Sequence, residues 1–150
     1  MSDIQMTSDK SAVKAAKAPK VPTASKHVRR LNPKTGRMSK LKVCGFAFSR
    51  EDIDTWALEN NVLQKQHAFN RRFYAFEMIV RKLPDSMRWA IVKPHGEEGG
   101  LKCIVIGSNE SRQDLINAYT PGRVTLVHNA LGKDAGQPKW YYLREDIHDL

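Results

Sequence analysis

The stretch Trp89–Val127, together with Arg88 just before it, decides how this chain folds. It reads RWAIVK at Arg88–Lys93, PHGEEGG at Pro94–Gly100, LKCIVI at Leu101–Ile106, a polar run, and VTLV at Val124–Val127. The two short apolar, β-branched runs predict strands, and the Gly- and Pro-containing loop between them predicts a hairpin. In Leu101–Ile106, residues Leu101, Cys103 and Val105 face one way, and Ile104 and Ile106 face the other. Apolar residues on both sides predict an interior strand. Asn109–Tyr119 has helical spacing, with Ser108 or Asn109 as its cap. Thr120-Pro121-Gly122 predicts a turn, and Val124–Val127 a returning strand. The connection from Ile106 to Val124 is long enough for a right-handed parallel crossover.

Working outward, Leu131–Lys139 is a loop rich in turn residues, and Trp140–Leu143 (WYYL) predicts a last edge strand. Alternation sets Tyr141 opposite Trp140 and Tyr142, so at least one side should be core. Arg144–Leu150 is a polar end. On the other flank, Val43–Phe48 predicts a short strand. Ser49 caps a helix over Arg50–Glu59, with Glu51 and Asp52 in its first turn and Ile53, Trp56 and Ala57 facing inward. Val62, Phe69, Phe73, Phe76, Val80 and Leu83 fall on one helical stripe. That stripe predicts a helix over Val62–Leu83, about 33 Å long, which Pro84 stops. The expected fold is α+β: a small mixed sheet, hairpin plus βαβ-like crossover, packed on one long helix.

Charge divides the chain differently. Residues 1–42 hold eleven Lys/Arg against only Asp3 and Asp9, a net +9, whereas residues 43–150 hold fourteen of each sign and are balanced. Ser11–Lys26 is built from Lys, Ala, Pro, Ser, Thr and Val, with no aromatic residue and no large aliphatic stripe. Such a segment cannot bury enough surface to offset its ordering entropy. The expected organisation is a disordered basic arm over 1–42, with a turn at Asn32–Gly36, and one globular domain over 43–150.

A neutral body with a cationic arm points to an anionic partner. Lysines and arginines spaced along an extended chain neutralise phosphates and give affinity without sequence choice. The candidate nucleic-acid-binding residues are Lys14, Lys17, Lys20, Lys26, Arg29, Arg30, Lys34, Arg37, Lys40 and Lys42 in the arm. Arg71 and Lys82 extend them on the long helix, where an ordinary solvated helix face is the plainer reading. The partner expected is nucleic acid, DNA or RNA, bound non-specifically. The competing reading is a homo-oligomer or interaction module. Its interface would be the helix stripe or the Trp140–Leu143 strand, and its tail would serve solubility or localisation.

Other classes find less support. There is no P-loop, GxGxxG, HExxH, GxSxG or CxxC, and the five histidines are scattered without metal-ligand spacing. Neither a catalytic set, a metal nor a cofactor is expected. The loop His95, Glu97 and Glu98, the junction Gly107-Ser108-Asn109, and the pair His128-Asn129 are the only places where chemistry could gather. No apolar run approaches the roughly 20 residues a bilayer span needs, and MSDIQMTSDK lacks the apolar core of a secretory signal. The expected location is therefore intracellular, and the basic cluster would suit nuclear entry. Cys44 and Cys103, far apart in apolar surroundings, are expected to be buried free thiols.

Overall fold

The computed structural model describes residues 21–63, 67–95 and 99–144. The order is β1 (Leu31–Asn32), β2 (Arg37–Met38), β3 (Lys42–Phe48), α1 (Arg50–Glu59), α2 (Ala68–Arg81), β4 (Arg88–Val92), β5 (Leu101–Ser108), α3 (Arg112–Ala118), α4 (Pro121–Leu131) and β6 (Lys139–Tyr142). The fold class is α+β. β1 and β2 form a separate two-stranded ribbon, and the main sheet runs β4-β5-β3-β6.

Every pairing in the main sheet is antiparallel. The expected mixed sheet with a parallel crossover is therefore corrected. Val124–Val127 is not a strand but the middle of α4, with Pro121 at its start, where a missing N–H costs nothing. Val124, Val127 and Leu131 share the helix face that packs into the core. Helices α3 and α4 thus carry the chain from β5 to β6, which docks antiparallel on β3.

The sheet closes on itself at one corner. Lys93 N donates to Tyr142 O (2.8 Å), Arg144 N donates to Ile91 O (3.1 Å), and Val92 bridges Leu143. These bonds join β4 to the end of β6, the two outermost strands, so the twisted sheet becomes a partly closed barrel. Closure covers backbone that would otherwise be an open edge. Val43, Val92, Cys103, Val105 and Tyr141 fill the inner side. Cys44, Phe46, Ile104, Ile106 and Trp140 face outward, under the helices. The two faces of β5 divide as alternation predicts.

α1 begins as expected. Ser49 Oγ accepts from Asp52 N (3.1 Å), and Asp52 Oδ2 accepts from Ser49 N (2.9 Å), a reciprocal cap. α2 departs from expectation. It spans 14 residues instead of Val62–Leu83. Val62 belongs to the preceding turn, where Asn61 and Leu63 have positive φ, and His67 Nδ1 caps the helix by accepting from Phe69 N. The buried face carries Ala75, Phe76 and Ile79, while Phe69 and Phe73 are 69% and 51% exposed. The reason is size. Ala57 of α1 and Ala75 of α2 are both completely buried, and only small side chains let two helices approach closely. Asp54 ties the same pair by ion pairs to Arg71 (3.1 Å) and Arg72 (3.6 Å).

Both cysteines are free and buried. Burial pushes the Cys44 thiol up to about 12 and raises that of Cys103 as well, so both stay protonated and unreactive.

Residues 1–20 of the expected arm lie outside the described residues. Residues 21–42 are built into the fold, so the boundary at 42 does not hold for them. Pro22 and Ser25 are buried, Tyr119 Oη donates to Ser25 O, and Arg29 N donates to Asn109 O (2.8 Å). The body thus satisfies polar backbone that composition alone could not.

Candidate nucleic-acid interface

Asn109 organises the surface where this segment meets the body. It sits just past β5, 4% exposed. Its Oδ1 accepts from Lys42 N (2.9 Å), its Nδ2 donates to Lys40 O (3.1 Å), and its own N donates to Lys42 O (3.1 Å). With the bond from Arg29 N, it holds both legs of the β1–β2 ribbon. The ribbon is closed above this base by Ser39 N to Arg30 O (2.8 Å) and Arg30 N to Ser39 Oγ (2.9 Å). At its tip Asn32 Oδ1 accepts from Lys34 N (2.9 Å), Asn32 O accepts from Gly36 N (2.8 Å), and Gly36 takes φ +70°. The turn expected at Asn32–Gly36 is present, with glycine where a left-handed residue is needed.

Two adjoining grooves flank the segment 26–30. One, about 540 Å³, lies between it and Lys40, Lys42, Asn109 and Tyr142; the other, about 570 Å³, runs along Arg112, Leu115 and Ile116 of α3. Among the described residues, none lining either groove is acidic. Lys26, Arg29, Arg30, Lys40, Lys42 and Arg112 line them, and Lys34 and Arg37 project from the ribbon beyond. Among the described residues, the salt bridges are confined to Asp54 and Asp114, with Arg71, Arg72 and Arg88 as their cations. Among the described residues, no salt bridge engages a cation of the 21–42 segment.

Two of these cations are partly committed. Arg29 Nε donates to Ser39 O (3.1 Å), and Lys42 Nζ to Thr23 O (3.2 Å). Lys40 and Lys42 stand over the Tyr142 ring at 5.2 and 6.0 Å. Lys14, Lys17 and Lys20 lie outside the described residues. Arg71 is held by Asp54 and only 15% exposed, so the structure does not bring it to the grooves. Lys82 ends α2 over the Trp56 ring at 5.7 Å, also away from the grooves. Arg112 was missed by sequence reasoning. It lies within the helix expected over Asn109–Tyr119, but local spacing does not show that the first turn of α3 would face the basic segment.

The loops considered for chemistry are used structurally. His95 Nε2 lies 3.1 Å from Trp140 O, and its ring stacks on Tyr141 at 4.3 Å. Glu97 and Glu98 lie outside the described residues. His128 Nε2 lies 2.6 Å from Gly136 O, with its ring edge-on to Phe46. Ser108 Oγ donates to Asp114 Oδ2 (2.8 Å), and Ser111, not Ser108 or Asn109, caps α3. Among the described residues no cluster of three or more His, Cys, Asp or Glu could hold a metal, and no helix is long and apolar enough to cross a membrane.

A second exposed surface is apolar. Phe69, Phe73, Tyr74 and Met78 of α2, with Leu63, form an open groove of about 900 Å³. Across the helix Phe76 meets Trp89 edge-on at 5.1 Å, with Lys102 Nζ 4.6 Å above Phe76; burial lowers the Lys102 pKa.

Comparison with protein-family models, with curated proteins and with solved structures finds no match. The class is therefore defined by the molecule itself: a small α+β domain, its sheet partly closed into a barrel, with cationic grooves whose described lining holds no acidic residue, beside an exposed ribbon.

Proposed function

We propose that this protein is a non-catalytic nucleic-acid-associated factor that holds phosphate backbones in its cationic grooves. The observation that carries the reading is the grouping of Lys26, Arg29, Arg30, Lys40, Lys42 and Arg112 around grooves with no acidic residue among their described linings. Unpaired cations held close together by a rigid frame cost free energy through mutual repulsion, which a polyanion relieves. Residues Lys14, Lys17 and Lys20 would add contacts further along the strand. A basic segment of this kind also suits an intracellular protein that enters the nucleus.

The test is a salt titration of binding to DNA and RNA. If about six phosphates are neutralised, the logarithm of affinity falls against the logarithm of salt with a slope of about −5. The variant carrying Lys26→Gln, Arg30→Gln, Lys40→Gln and Arg112→Gln should flatten that slope by about one per residue removed. It should also bind about 10- to 100-fold more weakly near physiological salt. Equal slopes for the two chains, or binding indifferent to salt, overturn the reading.

A second reading rests on the apolar groove. An exposed cluster of aromatic residues on one helix is the kind of apolar surface that interfaces use. Self-association through Phe69, Phe73, Tyr74 and Met78 would cover it. Light scattering should then give a mass above 17.1 kDa, reduced to the monomer by Phe69→Ser with Phe73→Ser. A monomeric unaltered chain at high concentration sinks this reading.

A further inference from the structure

The β1–β2 ribbon invites a question that the grooves alone do not answer. It forms its own two-stranded sheet, and every residue from Leu31 to Lys40 is exposed. An isolated two-stranded hairpin is marginal in water, yet this one is fastened at its base by Asn109, Arg29 and Ser39. Its register sets Leu31 directly opposite Met38. Directly opposite residues lie on the same face, so one face of the ribbon presents an apolar pair, 56% and 47% exposed. Arg30, Lys34, Arg37 and Lys40 flank that pair along the chain, with Arg37, opposite Asn32, on the ribbon's other face, and the chain has no acidic residue between Asp9 and Glu51.

We infer that the ribbon is the element that enters the major groove of B-form DNA, on the reading that the neighbouring cationic grooves hold the phosphate backbone. The dimensions agree. Each strand is two residues long, about 7 Å of extended chain, with the turn Pro33–Gly36 beyond it, and the B-form major groove, about 12 Å wide and about 8.5 Å deep, admits such a two-stranded ribbon. Inside that groove the thymine methyl is the apolar feature a Leu or Met side chain can contact, while Lys and Arg reach guanine edges or flanking phosphates. The alternatives fit less well. The A-form major groove is too deep and narrow for a ribbon. Single strands are bound on aromatic platforms, and Leu31–Lys40 contains no aromatic residue.

The test uses the full chain and the variant Leu31→Ser with Met38→Ser, which keeps every charge. Both are titrated by fluorescence anisotropy against a DNA duplex, the same duplex with uracil for thymine, an RNA duplex and single-stranded DNA. Circular dichroism should match between the two chains, because both altered side chains are exposed and belong to no core cluster. The unaltered chain should bind the DNA duplex about tenfold more tightly than the RNA duplex or the uracil duplex. The variant should lose that margin, keep the salt slope, and bind the RNA duplex and single strand unchanged. Equal, salt-dependent affinity of both chains for all four probes overturns the ribbon's role and leaves the phosphate-binding reading standing. A preference for the single strand overturns it in favour of stacking. Absence of salt-dependent binding to any probe removes the underlying reading as well.

Discussion

Gly107→Ala should destabilise the fold by about 3 kcal/mol or more, a large share of the roughly 5–15 kcal/mol a domain of this kind has. Gly107 lies on β5 opposite Cys44, where α3 crosses the strand. A methyl group there would sit 2.6 Å from Ala118 Cα, and closer still to Ala118 N. The obstacles are backbone atoms, so no side-chain rotation relieves the clash, and α3 must move away as a body. That movement would pull Asp114 from Ser108 (2.8 Å) and Arg88 (2.9 Å). It would also carry Tyr119 away from Ser25 and Arg112 from the groove. Gly122→Ala is the matching control. Nothing lies within 4 Å of its added carbon, and it sits in the first turn of α4. There alanine reduces the entropy of the unfolded chain and should be neutral or stabilising by up to about 1 kcal/mol. Denaturant unfolding of the three chains decides it. Equal midpoints for Gly107→Ala and the unaltered chain would mean that the strand and helix are not packed this closely.

Asn109→Ala should cost about 2–3 kcal/mol and weaken polyanion binding without changing any charge. Removing the carboxamide leaves the Lys42 amide N–H and the Lys40 carbonyl without their partner at a part-buried site, where the lost partner costs at least what the hydrogen bonds contribute. The side chain holds the Lys40–Lys42 leg of the ribbon, while the Arg29 leg stays on the Asn109 backbone carbonyl, so its loss loosens Lys40 and Lys42 relative to Lys26 and Arg30. Binding should fall several-fold while the salt slope stays the same, because the same cations still reach phosphates after paying an ordering cost. Asn109→Asp keeps the acceptor for Lys42 N but loses the donor to Lys40 O. It also places a carboxylate beside the groove, so it should weaken binding further despite retaining more stability. Amide exchange at Lys42, with binding curves for the two variants, separates the structural effect from the electrostatic one. Protection of Lys42 equal in all three chains would show that Asn109 does not hold the ribbon.

Local patterns were sufficient wherever one residue's neighbours in sequence are also its neighbours in space. Ser49 followed by Asp52 marks the start of α1, and the cap forms as those two residues dictate. Strict alternation in β5 and β6 sends Cys103 and Tyr141 to one side and Ile104 and Trp140 to the other. Spacing failed where it admits more than one answer. On α2 two sides are apolar, and the sequence cannot say that Ala57 would meet Ala75 and leave Phe69 and Phe73 outside. Around Val124, a four-residue apolar run suits strand and helix alike. Thr120-Pro121, read as a turn, was the signal for a helix start.

The order of residues along the chain established the uneven charge and the α+β class, because both follow from counts and short-range patterns within segments. The fate of 21–42 was decided elsewhere. A segment with too little apolar surface to bury against itself cannot order itself, but it can be ordered by partners it does not contain. Asn109 and Tyr119 come from sixty or more residues downstream, and only tertiary folding brings them under the chain. The same long-range contacts add Arg112 to the basic surface and give Arg71 to Asp54. Which cations stand together is thus a property of the packed molecule, whereas how many there are is a property of the sequence.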